Sequence, residues 1–139
     1  MSEVKLPNNY RPSEKEKFMS PRQKEFFRQR LSSWRDEILR DAQGTIQNLQ
    51  EDDGQAPDIA DRATTESERS IELRTRDRQR KLVSKIDAAL GRIEEGSYGY
   101  CDDTGEPISL KRLEARPIAT LSIEAQERHE RRERLHRDD

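Results

Sequence analysis

The chain of 139 residues has a single cysteine, only one Trp, three Tyr and three Phe, and no long apolar run. One thiol, Cys101, excludes an internal disulfide framework and agrees with a reducing compartment. No stretch approaches the roughly 18 apolar residues of a membrane span, and no basic segment followed by an apolar one stands at the N-terminus. A soluble, cytoplasmic protein is expected. An excess of one charge is lacking as well: 27 basic and 29 acidic residues leave a net charge of -2. That balance removes the general attraction to nucleic acid and argues against direct sequence-specific DNA binding. Neither a Gly-rich phosphate loop nor a supported Ser-His-Asp arrangement is present.

What the sequence does have is charge, at 40% of residues against 29% hydrophobic. So few apolar residues raise the question of disorder, but compositional disorder needs charge that is also unbalanced. This is the composition of long solvated helices. The aromatics and aliphatics cannot fill a large core, so the expected fold is mainly α and extended in part.

Residues 1–17 are polar, contain Pro7 and Pro12 and show no period, with Leu6, Tyr10 and Phe18 as the only anchors to a core. Ser20-Pro21-Arg22-Gln23 is a start signal: Ser caps the first free amides, Pro suits the first helical position and Gln reaches back. From there Phe27, Leu31, Trp34, Ile38, Ala42, Ile46 and Leu49 form one stripe at helical spacing to about Glu51. Gly54 and Pro57 then call for a turn. Asp58 and Asp61 follow at the start of a returning arm, three residues apart and so on one helix face. That arm carries Ile71, Leu82, Ile86, Ala89 and Ile93, with Thr75 and Arg78 interrupting the stripe. Folding back at about residue 56 would put Arg78 opposite Trp34 to Glu37. The expected product is a two-stranded antiparallel coiled coil.

Five basic side chains crowd into Arg74 to Lys81. A salt-bridged, solvated face is the plainer reading, and an anion site the sharper one. Glu94-Glu95-Gly96 ends the arm, with Gly where a left-handed residue is favoured. A turn-rich knuckle follows from Ser97 to Gly105, and after Pro117 the chain reads as helix again, with Leu121, Ala125 and Leu135 as its thin apolar face.

Pro57-Asp58-Ile59-Ala60-Asp61-Arg62-Ala63-Thr64, Ile71 to Arg78, Gly96 to Cys101 and Arg112-Leu113-Glu114-Ala115-Arg116-Pro117 together resemble the DksA family of bacterial RNA polymerase-binding transcription factors. The resemblance implies a long antiparallel coiled coil projecting from a small globular region, which has a degenerate zinc-finger-like knuckle and a C-terminal helix. The implied boundaries are 1–19 for the N-terminal part of the globular region, 20–95 for the hairpin with its tip at 54–64, 96–126 for the knuckle, and 117–139 for the overlapping last helix. It further implies insertion of the coiled coil into the secondary channel of RNA polymerase. With the alarmone ppGpp, such a protein modulates open-complex stability, repressing ribosomal RNA promoters and helping to activate amino-acid promoters. By motif, Asp58, Asp61 and Ala63 are tip residues acting near the polymerase active centre, and Arg78, Leu82, Lys85 and Arg116 help form the ppGpp site. Gln126 stands where the family more often has Lys. A monomer is expected, with no tightly bound cofactor.

The family's zinc finger has two Cys-x-x-Cys pairs. Here the four positions read Cys101, Thr104, Ser122 and Ala125, so zinc is not expected; His129 or Asp102 as substitute ligands do not keep the spacing. Two other classes remain. A transcript-cleavage factor like the Gre proteins would use the tip acids to hold magnesium, but there the coiled coil is N-terminal rather than central. A plain coiled-coil scaffold would explain the helices but not the matched tip and Arg112 to Pro117 segments.

Overall fold

In the computed structural model the backbone is described for residues 4–51 and 59–138, and side chains for 4–44 and 62–136. Within these residues the chain forms α1 (Pro21–Glu51), α2 (Ile59–Glu95), α3 (Leu110–Ala115) and α4 (Ile123–Asp138), with one isolated antiparallel bridge between Tyr100 and Pro107. Two compact units result: residues 1–31 with 88–139, and residues 32–87.

The start of α1 is built as its signal implies, with one change. Ser20 Oγ accepts from the Gln23 amide at 3.3 Å, while the Gln23 side chain reaches past the cap and accepts from the Met19 amide at 2.7 Å. Met19 adopts a left-handed φ of 52°, which turns its amide toward that acceptor. Gln23 is fully buried, and its Nε2 donates to the Ser13 carbonyl at 3.0 Å and to Glu16 Oε2 at 3.3 Å. A buried amide with its donors and acceptor engaged avoids the cost of an unpaired polar group. The N-terminal segment is therefore pinned to α1 by polar bonds, and Tyr10 adds a hydroxyl bond to Glu16 Oε2 at 2.5 Å.

Unit 1 buries Phe27, Leu31, Ala89, Ile93, Tyr98, Ile108, Leu113 and Ala125. Phe27 packs against Tyr98 with ring centroids 5.5 Å apart, and Phe18 meets Tyr100 edge-on at 5.3 Å. Gly96 ends α2 with φ 86°, and the amides of Gly96, Ser97 and Tyr98 all turn onto the Arg92 carbonyl. Left-handed geometry at this position caps the last free carbonyls without a Cβ clash.

Unit 2 is the hairpin of α1 and α2, with Ile38 and Ile86 buried. Arg35 Nε lies 2.6 Å from Asp87 Oδ1, an ion pair between residues 52 apart in sequence. This corrects the expected register, because Asp87, and not Arg78, stands beside Arg35. The expectation took Ala56 as the centre of symmetry; the register of two helices is set by the side chains they bury, not by the position of turn residues.

Two apolar stripes also end sooner than expected. Ile71 is 57% exposed and Leu135 is 67% exposed, so neither joins a core. The last helix begins at Ile123 instead of just after Pro117. Its cap is Ser122, whose Oγ accepts from the Ala125 amide at 3.2 Å.

Candidate functional site

On α2 the crowded basic stretch divides into two kinds of cation. Asp77 holds Arg80 Nη2 and Lys81 Nζ, each at 3.1 Å. The hydrogen bond from Lys81, followed by its charge and the hydrogen bond from Arg80, keeps the Asp77 carboxyl below the usual range. Arg78 only touches Thr75 Oγ1 at 3.5 Å, and Lys85 is exposed; neither pairs with an acid among the described residues. These two charges share one side of the helix, seven residues apart. Leu82 lies between them, and together with Thr75, Gln79 and Lys81 they line a groove of about 460 Å³. Gln79 Oε1 is buried there without a hydrogen-bond donor among the described residues.

Three of the four residues expected at an effector site are thus brought together in unit 2. Arg116 belongs to unit 1, where it is exposed at the C-terminal end of α3 and its amide bonds to the Arg112 carbonyl at 2.7 Å. Ala63 is exposed on the first turns of α2. Asp58 lies outside the described residues, and Asp61 is in α2 with its side chain outside them. Gln126 sits in the first turn of α4 with its Nε2 3.3 Å from Glu130 Oε1.

The knuckle is tied by a ladder of polar bonds. The Cys101 amide donates to the Glu106 carbonyl and the Gly105 amide to the Cys101 carbonyl, each at 2.8 Å, and Gly105 takes the left-handed φ of 74° that closes the turn. The Asp102 amide donates to the Thr120 carbonyl at 2.8 Å, Arg112 Nε to the Leu121 carbonyl at 2.7 Å, and the Tyr98 hydroxyl to the Pro117 carbonyl at 2.7 Å. His129 Nε2 lies 2.9 Å from Asp103 Oδ2, fastening α4 to the turn.

At the centre is Cys101, buried, with Sγ 3.4 Å from the Ser122 amide and 3.8 Å from Ser122 Oγ. Burial pushes this thiol up, but the Ser122 amide, the Thr104 hydroxyl and the amides of Thr104 and Asp103 outweigh it and bring it down to about 6. Donors that converge on a sulfur favour its thiolate. The sulfur therefore meets donors from both halves of the knuckle, Thr104 and Asp103 on one side and Ser122 on the other.

Comparison with known proteins places these features. The family model "DnaK suppressor protein DksA, N-terminal domain" matches residues 23–93, and "Prokaryotic dksA/traR C4-type zinc finger" matches residues 96–131. A relative from Caulobacter vibrioides (strain NA1000 / CB15N), named RNA polymerase-binding transcription factor DksA, is 64% identical over 95% of this chain and 93% of its own. The chain belongs to the DksA family. The Escherichia coli K12 protein of the same name is 39% identical over 90% of this chain and 83% of its own. Among solved structures, transcription factor DksA2 from Pseudomonas aeruginosa is similar with a TM-score of 0.78 and 46% identity, covering 84% of this chain and 90% of that one.

The DksA zinc-finger model describes a four-cysteine site, and the residues here do not fit it. Beside the one thiol stand Thr104, Ser122 and Ala125, two alcohols that stay protonated near neutrality and a methyl group, where tetrahedral zinc takes thiolate or imidazole. Ser122 Oγ is occupied as a helix cap and Thr104 Oγ1 accepts from the Glu106 amide at 3.2 Å. Nor does the alternative ligand set assemble: His129 is engaged with Asp103 and not with Asp102, and no group of three metal-ligating side chains occurs among the described residues. The polar ties of Tyr98 and Arg112 were not foreseen from sequence. Both act through backbone carbonyls far along the chain, which no local pattern announces.

Proposed function

We propose that this DksA-family chain is a non-enzymatic regulator of bacterial RNA polymerase, acting in the cytoplasm as a monomer and without contacting DNA directly. The α1–α2 hairpin enters the secondary channel, where Asp58, Asp61 and Ala63 at its tip act near the active centre. Arg78, Leu82 and Lys85, with Arg116, hold ppGpp at the polymerase interface. The outcome is altered open-complex stability, repressing ribosomal RNA promoters and helping amino-acid promoters. The observation that carries this reading is identity of 64% across nearly the whole chain to a relative named for RNA polymerase binding. Support comes from the groove on α2, where two cations without an acidic partner among the described residues converge as a polyphosphate requires. The buried Gln79 acceptor adds a partner for a base N–H. The knuckle is proposed to work without zinc, its polar ladder replacing the metal.

A cleavage factor remains the rival reading, because paired tip carboxylates suit a divalent cation. Purified polymerase separates the two. The expected result is co-purification of the chain with polymerase and no stimulation of RNA cleavage in backtracked complexes. Magnesium-dependent cleavage would establish the rival, and absence of binding would leave only a coiled-coil scaffold.

A further inference from the structure

We propose that a cleft in the globular unit, between the N-terminal segment and the residues leading into α3, receives one arginine side chain presented by a protein partner. Its volume is about 190 Å³, with Glu14, Glu16 and Phe18 on one side and Pro107 to Leu110 on the other. Sites for small molecules usually occupy roughly 300–1,000 Å³. This cleft is the size for a single side chain, and the groove on α2 has no part in it.

Its chemistry selects the occupant. Two carboxylates and no basic residue line the cleft, so an anion is repelled and a cation attracted. Pro107, Ile108 and Leu110 give it an apolar wall suited to an aliphatic stem, and the half-buried Phe18 adds an aromatic ring to the lining. A guanidinium is planar, stacks flat on a ring and forks onto a carboxylate; an ammonium meets ring and carboxylate only as a point charge.

The receptor is also already in shape. Glu16 Oε2 is fixed by the Tyr10 hydroxyl at 2.5 Å and by Gln23 Nε2 at 3.3 Å. Gln23 in turn is locked by Ser13 and Met19. No described residue bonds to Glu16 Oε1, and the exposed Glu14 takes part in no hydrogen bond or ion pair among the described residues. The Phe18 ring is held edge-on by Tyr100 at 5.3 Å. A site ordered before binding loses little freedom when it is filled. Lys15 and Lys17 interleave with the two acids but do not line the cleft.

The test is titration of the ¹⁵N-labelled full chain with acetyl-Gly-Arg-Gly-amide and with the same peptide carrying citrulline, which keeps the shape and loses the charge. Saturable amide shifts confined to residues 14–18 and 107–110 are expected for the arginine peptide. Binding should weaken about tenfold for citrulline. Glu14→Gln, at an exposed position that the fold does not use, should weaken arginine binding by a similar factor and leave the rest of the spectrum unchanged. Equal affinity for the citrulline peptide, shifts spread over the whole acidic surface, or undiminished binding by the Glu14→Gln chain would overturn the proposal.

Discussion

Tyr98→Phe removes one oxygen from the core of the knuckle, and its cost can be worked from the geometry. The residue is 1% exposed, its ring packs on Phe27, and its hydroxyl donates to the carbonyl of buried Pro117 at 2.7 Å across 19 residues of chain. Phenylalanine keeps the packing but leaves that carbonyl without its donor, a loss of about 1–3 kcal/mol. At about 4 °C per kcal/mol for a domain of this size, the melting temperature should fall by roughly 4–12 °C. Thermal unfolding followed by circular dichroism measures it. Burial also pushes the Tyr98 phenol well above its ordinary value, opposed only by the charges of Arg92 and Arg30. Because the folded state disfavours the phenolate, this contribution is intact below pH ~10 and is lost as pH rises beyond it. Tyr10 is pushed up to about 12, by burial and then by its bond to Glu16, so the comparison belongs in a Tyr10→Phe background. There, Tyr98→Phe should flatten the alkaline loss of stability. A drop below about 2 °C, within the range of ordinary surface substitutions, would refute the assignment of Tyr98 as a tie of the knuckle.

Purified protein should contain far less than one zinc per chain, and a chelator should leave its melting temperature unchanged; stoichiometric zinc whose removal unfolds the globular unit would contradict the metal-free knuckle. In the same unit Cys101, down at about 6, favours the folded state above the ordinary thiol value near 8.5, and that contribution is lost as pH falls through 6. Cys101→Ser should therefore flatten the rise of melting temperature between pH ~6 and ~8.5 while leaving regulation of polymerase largely intact. On the hairpin, Lys85→Ala and Arg78→Ala remove charges that pair with no described acid, so unfolding should shift by no more than the roughly 0–1 kcal/mol of an exposed pair. The effect of ppGpp on transcription should fall in both. An unchanged response would return both residues to the solvated face.

The helices were legible because their signals are local. Ser20 to Gln23, the stripe from Phe27 to Ile38 and the Gly96 terminus each act within a turn or two, and α1 and Gly96 lie where those signals put them. Register was not legible. Turn residues mark where a chain reverses, but the Arg35–Asp87 pair depends on which side chains meet along both arms. Ile71 and Leu135 show the same limit, since helical spacing places a residue on a stripe without saying whether anything covers it. At the candidate site, Arg78, Leu82 and Lys85 were found by motif and share a groove because i, i+4 and i+7 coincide on a helix. The pinning of the N-terminal segment by Gln23 was read only as a capping signal, although its side chain reaches ten residues back to Ser13.

The lifetime of open complexes at a ribosomal promoter tests the central claim most directly, measured with this chain and with Asp58→Asn and Asp61→Asn variants, each with and without ppGpp. Asparagine caps a helix about as well as aspartate, so the variants separate charge at the tip from helix capping. The account predicts that the parent chain shortens the lifetime, more strongly with ppGpp. Both variants should bind polymerase and keep their helical signal while losing much of that effect. An unchanged lifetime with the parent chain bound to polymerase would contradict the proposed function, and full activity in both variants would reduce the tip carboxylates to caps.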